Sequence, residues 1–418
     1  MKFIREQKNL KGKTVLLRAD FDDPHEGHKL LDDYRIRKSA ASIEFLHSQG
    51  AKVIVASKIG RPEGMDLSES LIIPAKHLAE LMHKKLVVAK DRMPDYELGH
   101  LVFVPGDIRQ EQTLELVRSA SARDIIILEN IRFYSEEQNN DPAFAEKLAS
   151  LADIFVFDAF AMAHRNEVTV SMLPSYLPAF AGLTLESEIK ALDKLLTLKA
   201  HPFIAMMGGA KISDKVGAIR NLGKHADHIL VGGGPANLFL FAKGYEIGKS
   251  ICEKDSLGLA KEIMRNFKSK LVLPLDVLVA KPDFSNPHFV KIDQVKKTEA
   301  IFDIGPKTIL EFSKYIKAAK KMVWNGPMGH YEIKSFSHGT MAIAELFASK
   351  CQGNAYGVVG GGDSVGALTR AKVLDQVDFV STGGGAMLDY LAGDKLPALV
   401  VLEKARQIKS KSKLKARA

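Results

Sequence analysis

Residues 203–215 read FIAMMGGAKISDK: a short apolar run, a pair of glycines, then the polar opening of a helical pattern. Such a run is a buried strand entering a tight turn that starts a helix, the repeating unit of parallel sheets. The same order of events recurs downstream. His228–Val231 leads into GGGP, Tyr356–Val359 into GGGDS, and Ser381–Thr382, ending the run from Phe379, into GGG. Leu271–Leu275 and Met322–Trp324 add further apolar runs of strand length.

Upstream, Thr14–Phe21 (TVLLRADF), Lys52–Ala56, Ile125–Leu128 and Ile154–Phe160 read as buried strands, with amphipathic stretches at Asp33–Ser48 and Leu71–His83 between them. Alternation of this kind predicts an α/β chain: a doubly wound parallel sheet wrapped by helices, built twice. A length of 418 residues also exceeds one ordinary core. The segment LPSYLPAFAG (Leu173–Gly182) has two prolines and no period, so the break between the halves is expected near Pro174–Gly182. Leu185–Leu196 reads as one helix joining them. The expected organisation is a first domain over 1–175, a linker and interdomain helix over 176–198, a second domain over 199–403, and a basic tail over 404–418.

Composition narrows the partners. The chain is 46% hydrophobic and 26% charged, which is globular. Its net charge of +9 falls to about +2 without the segment from Lys404, which carries seven Lys or Arg and no acid. A tail of that kind reads as a solvated extension, so no specific nucleic-acid partner is expected. The opening MKFIREQKNLKGKT lacks an apolar core, and no run of about 18 apolar residues occurs, so neither secretion nor a membrane is expected. Two cysteines, Cys252 and Cys351, offer no disulfide framework and suit a reducing cytoplasm. No interface stripe is evident, and a monomer is the default reading.

Chemistry is sought at the carboxyl ends of the strands, where doubly wound sheets gather ligands. In the second half those ends carry glycine, which lets backbone amides approach a ligand closely; a helix then begins, with free N–H groups and a positive dipole end that attract phosphate. Neither G-x-x-x-x-G-K-[ST] nor a clean G-x-G-x-x-G occurs, which disfavours a dehydrogenase. Lys211 and Lys215 are spaced by four around Ser213, which reads as an N-cap; the pair suits one polyphosphate, or is simply two solvated lysines. Asp363 follows the third glycine cluster at a helix start, either as a magnesium ligand or as a plain N-cap. Asn325-Gly-Pro-Met-Gly329 reads as a tight turn. In the first half the ends carry Arg18 with Asp20, Arg61, Arg132 and His164–Arg165, and Arg35 starts the first helix. Arginines converging on one site suit a small polyanion, through bidentate pairs with carboxylate and phosphate.

Read together, these segments resemble the phosphoglycerate kinase family. The family pattern runs in order as RADFDDP (Arg18–Pro24), GRP (Gly60–Pro62), LENIRFY (Leu128–Tyr134), GGAKISDK (Gly208–Lys215), DIGPKT (Asp303–Thr308), WNGPMG (Trp324–Gly329), GGGDS (Gly360–Ser364) and STGGGA (Ser381–Ala386). The resemblance implies two Rossmann-like domains joined by a helix, and reversible phosphoryl transfer between ATP and the carboxylate of 3-phosphoglycerate. It implies that Arg35, Arg61, Arg132 and Arg165 hold the phospho-acid with Asp20 near its hydroxyl, and that Asp22 and Lys58 lie in the same site. It likewise implies that Gly209, Lys211, Lys215, Gly233, Asn325, Pro327, Glu332, Gly361, Gly362, Asp363 and Ser364 serve the nucleotide, ATP or ADP, with Asp363 on Mg²⁺. Arg35 and Lys211 would flank the phosphoryl group in flight. The attacking carboxylate is already ionised near pH 7, so positioning and charge neutralisation carry the reaction.

Three departures from the family pattern cluster in the acid-binding half. Asp22 stands where the family usually has Asn, Lys58 where it has His, and Asn166–Glu167 where it has Ala-His. Losing one charge-assisted hydrogen bond costs about 1.5–3 kcal/mol. The expectation is that Lys58 pairs with Asp22 or Glu167, leaving a narrower cationic site. Two alternatives stay open: a same-fold phosphotransferase acting on another phospho-acid, and a nucleotide-binding protein of reduced activity.

Overall fold

The computed structural model describes residues 1–27, 29–89, 93, 99–210 and 212–405. The chain divides into two units, residues 1–189 with residues 395–405, and residues 190–394. Along the first unit run β1 (Thr14–Arg18), β2 (His25–Glu26), β3 (Lys29–Leu30), β4 (Lys52–Ala56), β5 (Leu86–Val88), β6 (Leu101–Val104), β7 (Ile125–Leu128), β8 (Ile154–Phe157) and β9 (Ala179–Ala181). Seven of these form one sheet in the order β5-β6-β7-β4-β1-β8-β9, parallel throughout; β2 and β3 make a separate two-stranded hairpin.

The central strands are near-continuous apolar runs because helices cover both faces of a parallel sheet. In β7 and β8 every residue is buried. The flanking helices obey local rules. Helix Pro142–Ala149 opens with proline in its first turn, and the Asp141 carboxylate accepts from the Phe144 amide at 2.8 Å; the cap satisfies one of the four orphan N–H groups. Its inner face buries Phe144, Ala145 and Leu148.

The second unit continues with β10 (Phe203–Met207), β11 (His228–Val231), β12 (Leu271–Val272), β13 (Asp276–Ala280), β14 (His288–Lys291), β15 (Ala300–Ile304), β16 (Lys321–Asn325), β17 (Tyr356–Gly360) and β18 (Phe379–Ser381). Its main sheet runs β12-β11-β10-β16-β17-β18, parallel. In the order of its own strands this is 3-2-1-4-5-6, the doubly wound arrangement whose winding reverses between the first and fourth strands, here β10 and β16. Beside it β14-β13-β15 form a small antiparallel sheet.

Some expectations are corrected. The stretch Pro174–Gly182 is no break: it contains β9, which pairs with β8 and closes one edge of the first sheet. The apolar Ala-Phe-Ala beyond the prolines is short, yet all three residues are buried there. The division falls inside the single helix Leu183–Thr197, between Ile189 and Lys190. Residues 395–403, assigned by sequence to the second domain, belong with the first unit, where the Ala398 amide donates to the Ala163 carbonyl at 3.1 Å. Of the basic tail, residues 406–418 lie outside the described residues.

Candidate functional site

In the first unit the polar residues after four adjacent strands, β7, β4, β1 and β8, supply the candidate acid site. Asp20 and Asp22 follow β1. The Asp22 amide donates to Asp20 Oδ1 at 3.2 Å, and Ser39 Oγ donates to the Asp20 carbonyl at 3.1 Å. Asp23 ends the turn by capping the helix Tyr34–Ser48: its two carboxylate oxygens accept from the amides of Arg35 at 3.1 Å and Ile36 at 2.9 Å. Burial nevertheless pushes its pKa up to about 7. That cap sets where Arg35 stands. Its Nη1 lies 3.5 Å from Asp20 Oδ2 and 3.7 Å from Asp22 Oδ2, and donates to the Asp22 carbonyl at 3.1 Å.

Lys58, after β4, is buried and forms an ion pair with Asp22; the Gly60 amide donates to the other Asp22 oxygen at 2.9 Å. Burial alone would raise the Asp22 pKa, but the Lys58 ammonium, Arg35 and that amide overcome it and hold the carboxylate below its usual range. Of the two partners expected for Lys58, the structure selects Asp22.

Glu167 pairs with Arg132 instead, Nη2 to Oε1 at 3.0 Å. Arg132 is fixed by Asn130 just before it. This fully buried side chain accepts from the Arg132 amide at 3.0 Å and donates to the Ile59 and Glu69 carbonyls at 2.9 and 2.8 Å. The β7 and β4 ends are therefore tied together, and sequence reasoning missed this residue because an Asn after a strand reads as a turn.

Arg61 and Arg165 are exposed, with no ion-pair partner among the described residues. Arg18 is a correction. Counted among the strand-end arginines, it is fully buried; its Nε donates at 2.9 Å to Thr169 Oγ1, whose hydroxyl donates at 2.6 Å to the buried Glu137. Burial lifts Glu137 to about 7. Arg18 is thus part of the core.

In the second unit the glycine turns interlock across the point where the winding reverses. The Gly208 amide donates to the Asn325 carbonyl at 3.0 Å, Gly209 to Pro327 at 2.7 Å, Gly233 to Met328 at 2.9 Å, and Gly234 to Gly209 at 2.8 Å. A Cβ on Gly208 would lie 2.1 Å from the Pro327 carbonyl oxygen, so only glycine permits this approach. Asn325 is buried, with Nδ2 donating to the Gly360 carbonyl at 2.8 Å, and buried Ser364 accepts from the Gly326 amide through Oγ at 2.6 Å.

Gly361 holds φ +95° ahead of the helix Gly362–Arg370. A Cβ on Gly362 would meet nothing within 4 Å, so open space faces the helix start, with exposed Asp363 in its first turn. First-turn N–H groups have no partner within their helix and attract anions. Among the described residues no cluster of three or more His, Cys, Asp or Glu could hold a metal unaided. The residues present fit a magnesium ion that takes most of its ligands from bound phosphates, with Asp363 as the protein carboxylate. Glu332 is largely exposed, 3.8 Å from His330 Nε2. Lys215 lies in the helix Ile212–Leu222, partly buried. Ser213 is not an N-cap: it lies inside that helix, and its amide donates to Glu253 at 2.9 Å. Lys211 lies outside the described residues.

Guanidinium and ammonium groups at the strand ends of one unit, and interlocked glycine turns with an open helix start at Gly362 in the other, fit a two-unit α/β protein of the phosphotransferase class. Comparison with known proteins narrows the class. A family model described as phosphoglycerate kinase matches residues 5–394. A phosphoglycerate kinase of Dictyoglomus turgidum is 44% identical over 400 residues, covering 94% of this chain and 96% of that protein. One from Pelotomaculum thermopropionicum is 40% identical over 400 residues, covering 94% and 97%. The structure of phosphoglycerate kinase from Coxiella burnetii superimposes with a TM-score of 0.77 at 36% identity, covering 96% of this chain and 98% of that one. The chain belongs to the phosphoglycerate kinase family, whose reaction is ATP-dependent, reversible phosphoryl transfer involving 3-phosphoglycerate.

Proposed function

We propose that this chain carries out that transfer with the residues assembled above. Arg35, Arg61, Arg132 and Arg165 hold the phosphate and carboxylate of 3-phosphoglycerate, with Asp20 at its hydroxyl and Lys58 and Asp22 beside them. Gly209, Lys215, Gly233, Asn325, Pro327, Glu332, Gly361, Gly362 and Ser364 form the nucleotide site, and Lys211 and Arg35 are assigned as the catalytic cations on the family resemblance. The supporting observation is the opposite chemistry of the two sets of strand ends. Asp363 would hold magnesium, which neutralises phosphate charge when bound. No general base is needed, because the acceptor carboxylate is ionised near pH 7.

A second reading has its own observation. The ion pairs Lys58–Asp22 and Arg132–Glu167 leave fewer free cations than a polyanion site would use, which favours altered phospho-acid specificity. A coupled assay with ATP, Mg²⁺ and 3-phosphoglycerate tests both: turnover of order 1–100 per second supports the first reading, and rates far below that, restored by another phospho-acid, support the second. We further place the protein in the cytoplasm as a monomer, where both cysteines remain free. No described helix is long and apolar enough to cross a membrane. Removing the basic tail, residues 404–418, should leave turnover intact.

A further inference from the structure

Glu167 lies outside the set of residues that hold the acid, yet it occupies one of them. Its carboxylate meets Arg132 Nη2 at 3.0 Å through Oε1 and 3.3 Å through Oε2. Only 14% of the Arg132 side chain and 8% of the Glu167 side chain remain exposed. Both residues stand on hydrogen-bonded backbone. Arg132 stands on the turn fixed by Asn130, and the Glu167 carbonyl accepts from the amides of Val170 at 3.1 Å and Ser171 at 2.9 Å. Behind the pair, Arg18 has its own arrangement with Thr169 and Glu137. Glu167 is therefore the direct counter-charge of Arg132, whereas Arg61 and Arg165 have no such partner among the described residues.

We propose that Glu167 is a specificity-determining residue, an internal carboxylate that competes with the substrate's anionic group for Arg132 and weakens binding of highly charged acids. The proposal rests on the assignment of Arg132 to the acid site. Two unit charges 4–6 Å apart at an effective dielectric near 20 repel by roughly two to three powers of ten in affinity. Rearrangement of the site on binding reduces this, and about tenfold or more is expected to survive. An acid with a smaller anionic charge suffers less, so Glu167 shifts preference toward less charged acceptors.

The test uses the full chain and its E167Q, E167A and E167D variants. Glutamine keeps the shape and an acceptor for Arg132 while removing the charge. In E167Q and E167A the KM for 3-phosphoglycerate should fall about tenfold or more, the change should fall on KM rather than kcat, and the KM for ATP should stay constant. E167D should keep the weak binding of the parent. Sulfate binding, measured calorimetrically without any turnover, should tighten in E167Q in the same proportion. Unchanged or weaker sulfate and 3-phosphoglycerate binding in both neutral variants overturns the proposal. Loss of folded protein in both also overturns it, because Glu167 would then serve the architecture. Absence of 3-phosphoglycerate turnover in every form instead refutes the underlying assignment, and the sulfate result still reports on Glu167 independently.

Discussion

Asn325 Nδ2 donates to the Gly360 carbonyl at 2.8 Å, so the side chain that ends β16 fastens the turn that ends its neighbour β17. The parallel ladder already pairs Asn325 with Gly360, and the fully buried amide adds a side-chain tie at the same level. Asn325→Ala strands a buried carbonyl and should cost about 1–3 kcal/mol. Urea unfolding should show that loss, and ATP should bind several-fold more weakly. Unchanged nucleotide affinity in a destabilised variant would confine Asn325 to a structural role.

Gly361 and Gly362 separate strain from space. At φ +95°, Gly361→Ala costs roughly 1–2 kcal/mol and brings Cβ to 3.1 Å from Asn325 Nδ2. Gly362→Ala meets no neighbour and improves a helix position, so stability should hold or rise by about 0.5–1 kcal/mol. Its methyl group nevertheless projects where phosphate is proposed to sit. A stable G362A protein with a raised KM for ATP is the expected outcome; an unaltered KM would place the phosphates elsewhere.

Asp363 has a narrower role. Asp363→Asn removes the one protein carboxylate assigned to magnesium, so the Mg²⁺ concentration for half-maximal activity should rise about tenfold. Excess metal should recover much of the rate. Failure of high magnesium to restore activity, with the half-saturation point unmoved, would return Asp363 to the part of a helix cap.

Arg35 points one guanidinium nitrogen at Asp20, Asp22 and the Asp22 carbonyl. Arg35→Ala should lower kcat/KM by about two to three powers of ten, the size of loss seen when a transition-state donor is removed. Arg35→Lys should recover little, because a single ammonium lacks the planar fork. Full activity in the lysine variant would argue against a geometric role.

Asp158 supplies a pH dependence. It is fully buried, accepts from the Leu185 amide at 2.9 Å, and is pushed up to about 7 chiefly by desolvation. A carboxyl whose folded pKa exceeds its unfolded value near 4 binds more protons when folded, so its contribution to stability falls as pH rises from about 4 to 7. Asp158→Asn removes that slope. The variant should match the parent near pH 4 and exceed it at pH 8 by about 1–4 kcal/mol. Equal stability at pH 8, measured by urea unfolding, would show that the folded protein tolerates the charge.

Much of the fold was legible from short-range pattern. Runs such as Ile125–Leu128 and Phe203–Met207 are strands at their expected positions, since a strand buried on both faces has to be apolar throughout. Several strands that escaped notice are those whose burial comes from elsewhere. β5 is short and half exposed, β9 follows two prolines, and β13 to β15 pair antiparallel outside the main sheet. But β6 is an apolar run, Leu101–Val104, buried throughout, whose pattern the sequence does carry. Ser213 shows the limit for caps: spacing alone placed it at a helix boundary, whereas the helix already contains it.

Residue order by itself determined which chemistry ends each strand, cations in one half and glycine turns in the other, because those residues follow their strands directly in the chain. Only tertiary structure decided which charges remain available. Arg18, Arg61 and Arg132 look alike in sequence, yet one is sealed in the core, one is exposed and one is matched by Glu167. The reason is physical: a guanidinium's availability depends on burial and on the nearest carboxylate, and Glu167 reaches Arg132 across 35 residues of chain.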